Sequence, residues 1–146
     1  MLSVDTNILF HAFNADSPRH AGAFRWLSSM QHEEDVAISE LILAELYGLL
    51  RNPAVLTRPL AAADAVDVIR VYRSHPRWRL IGFPAESRTL HDALWEKARA
   101  RSFAFRRLYD VRSALTLTAQ GVTRFATVNV KDFAGLGFTH VWNPIA

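Results

Sequence analysis

The feature that most constrains this chain is a regular exchange of short apolar runs with longer helical stretches. Leu2 to Val4, Val36 to Ile38, Trp78 to Phe83, Phe125 to Val128 and Thr139 to Trp142 are three to six residues long, which suits buried strands and nothing longer. Helical spacing fills the intervals. Ala23, Trp26, Leu27 and Met30 recur behind Pro18, and Glu40 to Arg51 follows Ser39 as N-cap and stops before Pro53. Ala61 to Ser74 carries Val66, Ile69 and Val71, and Glu86 to Ser102 carries Leu90, Ala93 and Leu94. Asp110 to Gln120 ends at Gly121, and Asp132 can cap one last turn. No Asn-Gly or similar pair joins neighbouring strands, so they cannot close as hairpins; helical crossovers make them parallel. The expected fold is a three-layer α/β/α sandwich around a mainly parallel sheet.

A length of 146 residues suits one domain, and no repeat, linker or low-complexity tract offers a boundary, so residues 1–146 are read as a single unit. The absence of cysteine excludes disulfides, thiolate metal sites and a cysteine nucleophile. The start lacks a basic leader, and no apolar run nears the roughly 20 residues of a membrane span. A cytoplasmic protein without membrane contact is therefore expected. Seventeen basic residues against 14 acidic ones give a net charge of +3. Fifteen of the bases are Arg, the side chain suited to planar, bidentate contacts with phosphate or carboxylate.

The informative residues are acids. Glu45 shares a helical stripe with Leu41, Ile42, Gly48 and Leu49, where an unpaired carboxylate would be costly. Asp5 follows the first strand, Asn129 and Asp132 follow the fourth, and Asp110 opens a helix. A structural ion pair or a helix cap explains each of them alone. Parallel strands, however, put all their carboxyl ends on one edge, where open α/β sheets bind ligands. Carboxylates gathered there repel one another, and a hard divalent cation removes that repulsion. An all-oxygen donor set fits Mg²⁺ or Mn²⁺ and not zinc. Such an ion, with a bound water of lowered pKa, suits phosphodiester hydrolysis. No glycine-rich phosphate loop, nucleophile elbow or paired-His spacing competes with this reading.

The same residues carry a resemblance. Val4-Asp5-Thr6-Asn7, Glu45 within Leu43-Ala44-Glu45-Leu46, Asp110, and Thr127-Val128-Asn129-Val130-Lys131-Asp132-Phe133 before Asn143-Pro144 resemble the PIN-domain family. Within it they are similar to VapC-type toxins of bacterial toxin-antitoxin pairs, over essentially the whole chain. The resemblance implies a Mg²⁺-dependent endoribonuclease, usually dimeric and neutralised by a cognate antitoxin. Asp5, Glu45 and Asp110 fall on the family's acidic positions, as catalytic residues and metal ligands. The family often has a fourth acid where this chain has Asn129, and Asp132 is the candidate to replace it. Arg112 stands where small apolar residues are commoner, which makes it a candidate phosphate contact. Thr6, Asn7, Ser39 and Thr127 match polar positions around the site. The alternative is a PIN-like RNA- or antitoxin-binding protein with weak or no activity because of Asn129.

Two arginine groups are candidates to hold RNA. Arg99, Arg101, Arg106, Arg107 and Arg112 surround Phe103, Phe105 and Tyr109, a mixture that suits single-stranded RNA. Arg70, Arg73, Arg77 and Arg79 lie beside Tyr72 and Trp78. Solvated surface, with the aromatics turned into the core, is the other reading of both groups and the stronger one for the second. Leu41, Leu43, Leu46, Tyr47, Leu49 and Leu50 give one helix more apolar faces than a core needs, which points there for a homodimer or antitoxin contact.

Overall fold

The computed structural model describes residues 1–146. Five strands form one sheet: β1 (Leu2–Val4), β2 (Val36–Ser39), β3 (Arg79–Ile81), β4 (Arg124–Ala126) and β5 (His140–Trp142). All pairings are parallel, in the order β3-β2-β1-β4-β5. Seven helices connect them: α1 (Thr6–Phe13), α2 (His20–Met30), α3 (Glu40–Leu50), α4 (Ala62–Arg73), α5 (Ser87–Ala98), α6 (Arg107–Ala119) and α7 (Val130–Phe133). The chain winds from β1 to β3 in one direction and then crosses back to β4. With right-handed crossovers, that reversal sends α1 to α4 to one face and α5 to α7 to the other. The packing agrees, because α1, α2, α3 and α4 lie on one another, and α5 and α7 lie on α6. The expected three-layer α/β/α sandwich is present, with a wholly parallel sheet.

The core explains why these short strands hold. Val4, Ile8, Leu9, Ile38, Leu43, Leu46, Leu50, Leu117 and Phe125 are fully buried in one cluster that joins both helical layers to the sheet. Each such side chain contributes roughly 1.5–3 kcal/mol relative to exposure. Phe125 stacks on Phe138 and tilts against Phe133, tying β4 to α7 and the following loop. Gly121, with φ of +90°, ends α6: its N–H bonds the Thr118 carbonyl while that of Val122 bonds Leu117. This paired closure needs the left-handed backbone that glycine adopts without penalty.

Several local expectations change. On α4 the inward residues are Ala65, Val68, Ile69 and Tyr72, whereas Val66 and Val71 face solvent; the small Ala65 hid the packed face. Helix α5 stops at Ala98, and α6 begins at Arg107, three residues before Asp110. Asp110 is therefore inside the first turn and caps nothing. Asn129, not Asp132, holds the cap position of α7, and its side chain makes no cap bond. On α3 the apolar stripe is Ile42, Leu43, Leu46 and Leu50. Glu45 is exposed beside that stripe, and of the six apolar residues expected in surplus only Leu41, Tyr47 and Leu49 keep partial exposure.

Candidate active site

The reversal of winding falls between β1 and β4, the place where open α/β sheets form a crevice at their carboxyl edge. Asp5 ends β1 there and is tightly held. One carboxylate oxygen, Oδ1, accepts the Thr6 backbone N–H at 2.8 Å, which caps α1. The other, Oδ2, accepts the Thr127 hydroxyl at 2.6 Å and the Asn7 amide at 3.1 Å. Thr127 is fully buried at the end of β4 and in turn accepts the Asn7 amide and the Asn129 backbone N–H. Asn7 closes the network by accepting the Val128 N–H through Oδ1. Thr127 and Asn7 thus fix the Asp5 carboxylate across 122 and 2 residues of sequence.

Glu45 reaches the same crevice from α3 and Asp110 from α6, so the acids arrive from the sheet edge and from both helical layers. The Thr6 hydroxyl lies 3.2 Å from Glu45 Oε2 and 3.4 Å from the Ile42 carbonyl. Burial pushes the Asp5 carboxyl up to about 6; its hydrogen bonds pull the other way, and the charges of Glu45 and Asp110 push it further up. Glu45 is raised by desolvation and by Asp110, and lowered by Thr6 and Arg112. Asp110 is raised by desolvation and by Asp132, and lowered by Arg107. Each acid therefore senses the next, from Asp5 through Glu45 and Asp110 to Asp132. No three of them stand close enough as placed to share one ion. Asp5 is rigid, whereas Asp110 has no hydrogen bond of its own and Glu45 has only Thr6. Such a set, all oxygen, self-repelling and with two members left almost free of hydrogen bonds, has the donor chemistry of a site for a hard divalent cation.

The model of the PIN domain matches residues 2–132, most of the chain. This chain is a PIN-domain protein. Ribonuclease VapC24 of Mycobacterium tuberculosis, in strains CDC 1551 and H37Rv, is 46% identical over 145 residues, covering 99% of this chain and 97% of the relative. That identity places the chain among the VapC ribonucleases of the PIN family. The fold is shared with a crystal structure of M. tuberculosis VapC20, a toxin that cleaves the sarcin-ricin loop (TM-score 0.64, 21% identity, 86% and 87% of the two chains). It is shared also with VapBC2 of Rickettsia felis bound to a promoter DNA fragment (0.66, 19%, 97% of both). A third neighbour is FitAB bound to a DNA fragment (0.65, 20%, 100% and 96%).

The PIN fold distributes the other expected residues unevenly. Ser39 is buried and caps α3 through Leu41 N–H, away from any bond to the acids. Asn129 and Asp132 are both exposed at the rim. Arg112 reaches the site from α6, between the rings of Phe83 (5.8 Å) and Tyr109 (5.6 Å), with its Nε buried and unpartnered. Arg107 turns to the rim, where its guanidinium donates to the Asp132 carbonyl at 3.2 Å. Arg106 stacks over the exposed Phe105, Arg101 is exposed, and Arg99 pairs with Glu96 at 3.4 Å. In the second group, Arg73 pairs with Glu40, Arg77 with Glu34 and Arg70 with Asp67, so these three cations already hold acids, while Arg79 is exposed without an ion pair. Phe83, which packs beside Arg112, and the exposed Trp95 were not singled out from the sequence. A Trp set one residue off the Leu90 and Leu94 stripe of α5 was the available signal.

Proposed function

We propose that this chain is a Mg²⁺-dependent endoribonuclease, the toxin of a toxin-antitoxin pair, working in the cytoplasm as one PIN-like domain over residues 1–146. The observation that carries the reading is the Asp5 carboxylate held by Thr6, Asn7 and Thr127 at the winding reversal of the sheet, with Glu45 bound to Thr6 beside it and the charge of Asp110 felt by both. Asp5 and Asp110 would hold the cation, Mn²⁺ substituting for Mg²⁺, with Glu45 beside them and Asp132 taking the place that Asn129 leaves neutral. When bound, the cation supplies a water of lowered pKa and offsets charge on the phosphate. The protein does the rest. The Thr127 and Asn7 bonds keep the Asp5 carboxylate in one orientation, and Thr6 aims Glu45 so that its free oxygen can take a proton from the attacking water. Arg112, beside Phe83 and Tyr109 and with its charge felt by Glu45, would turn the outer end of its guanidinium to the non-bridging phosphate oxygens, and Arg107 steadies α7 under Asp132. The 3′ oxygen leaves, giving 5′-phosphate and 3′-hydroxyl ends.

Partners follow from the exposed surface. An apolar groove of about 260 Å³ runs between α1, α2 and α4, lined by Phe13, Phe24, Leu27, Val68 and Tyr72. It suits the apolar face of an amphipathic helix, and the antitoxin is proposed to seat there. A homodimer is retained as part of this reading, with Leu41, Tyr47 and Leu49 of α3 as its contact. The Asp110→Asn variant tests the enzyme: RNA cleavage should vanish while the circular dichroism spectrum is kept. Cleavage at the wild-type rate would remove Asp110 from the reaction.

A further inference from the structure

The α5–α6 pair carries an aromatic surface that neither the core nor the carboxylates use. On α5, Leu90 and Leu94 turn inward, and Trp95 stands 57% exposed; on α6, Tyr109 is 57% exposed. Both line a cavity of about 200 Å³, closed by His91, Leu94, Leu108 and Arg112. Arg112 is laid against Tyr109 on one side and Phe83 on the other, and its Nε is buried without a partner. The cavity and the active site share α6: Leu108, Tyr109 and Arg112 of the cavity flank Asp110 in its first turns, and the Arg112 charge is felt by Glu45. Arg101 and Arg106 nearby form no ion pairs, and Glu96 beside Trp95 is neutralised by Arg99. Aromatic side chains, an arginine that forms no ion pair and a basic rim make a site for a planar ring on an anionic chain.

We propose that this cavity receives one nucleobase of the RNA strand beside the scissile phosphate, stacked on Trp95 and Tyr109, with Arg112 spanning base and backbone. The inference rests on the ribonuclease reading and assigns to it a base-binding subsite. Its location ties register to cleavage, because a base seated there sets which phosphate meets Asp110.

Binding is measured by fluorescence anisotropy of dye-labelled short single-stranded oligoribonucleotides in EDTA, so that nothing is cleaved. Wild type should bind a base-bearing strand on the order of ten- to a hundred-fold more tightly than an abasic strand with the same phosphates. Trp95→Ala and Tyr109→Ala should remove most of that difference, and Trp95→Phe should restore it. With Mg²⁺ present, Trp95→Ala should raise KM and leave kcat nearly unchanged. Equal binding of both strands by wild type would overturn the proposal. So would unaltered RNA binding and KM in Trp95→Ala, as expected if the cavity serves a protein partner or a second copy. Base-dependent binding without any cleavage in Mg²⁺ would instead leave the subsite standing and remove the ribonuclease reading.

Discussion

Two arginine-rich regions of similar composition have opposite fates in this molecule. Around α4 and β3, Arg70, Arg73 and Arg77 each face a carboxylate, from Asp67, Glu40 and Glu34. Around α5 and α6, Arg99 pairs with Glu96, but Arg101, Arg106 and Arg112 form no ion pair, and aromatic rings back Arg106 and Arg112. The first region pairs three of its four arginines internally, Arg79 being the exception; the second leaves most of its charge for an anion brought from outside. What distinguishes a phosphate-binding surface from a solvated one is therefore the pairing of its cations, not their number.

That contrast can be broken most forcefully at Arg112. Arg112→Ala should lower kcat/KM for RNA by about ten- to a hundred-fold, as expected for the loss of a charged hydrogen bond of about 1.5–3 kcal/mol. Arg73→Ala, measured alongside, should leave kcat/KM where it was; an equal loss from both would erase the distinction. A smaller effect belongs to Arg106→Ala. The plot of log binding constant against log salt should become shallower by about 0.7 for each phosphate of a single strand that the protein ceases to neutralise. Arg77→Ala should leave that slope alone. Smallest is the effect of the paired group on stability, where removing Arg77 or Arg73 should cost about 1 kcal/mol or less in urea denaturation, since both pairs are substantially exposed.

The acids allow the same separation by pH. Asp5 binds its proton more tightly when folded, at about 6, than at its ordinary 3.8. Between those values the folded state holds more protons, so the stability of the metal-free protein falls as pH rises through the window. The Asp5 contribution is about 3 kcal/mol at most. Glu45 and Asp110 are shifted the same way and add to the slope. In EDTA, the urea midpoint of wild type should therefore drop, relative to Asp110→Asn, as pH rises from about 4 to about 7. A midpoint difference that stays constant would mean that the acids do not repel one another.

The strands were legible because each short apolar run ends in polar residues, and no turn chemistry allowed hairpins. Asp5 was legible for the same reason, since a carboxylate just past a parallel strand has one edge of the sheet to occupy, whereas Glu45 and Asp110 were legible as acids in the early turns of helices. The arginine pairings were not. Arg73 meets Glu40 across 33 residues and Arg77 meets Glu34 across 43, and local spacing carries no trace of either. The start of α6 was hidden too, because Arg106 at its cap makes no side-chain bond and looks like loop. Glu45 was placed on a buried stripe by counting turns, but the true stripe is rotated toward Leu43 and Leu46. That rotation exposes the carboxylate to the crevice.

The most direct test of the account is the melting temperature as a function of Mg²⁺, for wild type and Asp110→Asn side by side. Wild type should melt at progressively higher temperature as Mg²⁺ is added, since an ion that binds only the folded state stabilises it by mass action. Asp110→Asn should start higher in EDTA, relieved of one repelling charge, and respond little. A wild-type melting temperature indifferent to Mg²⁺, or a variant that climbs as steeply, would contradict a shared cation among these acids.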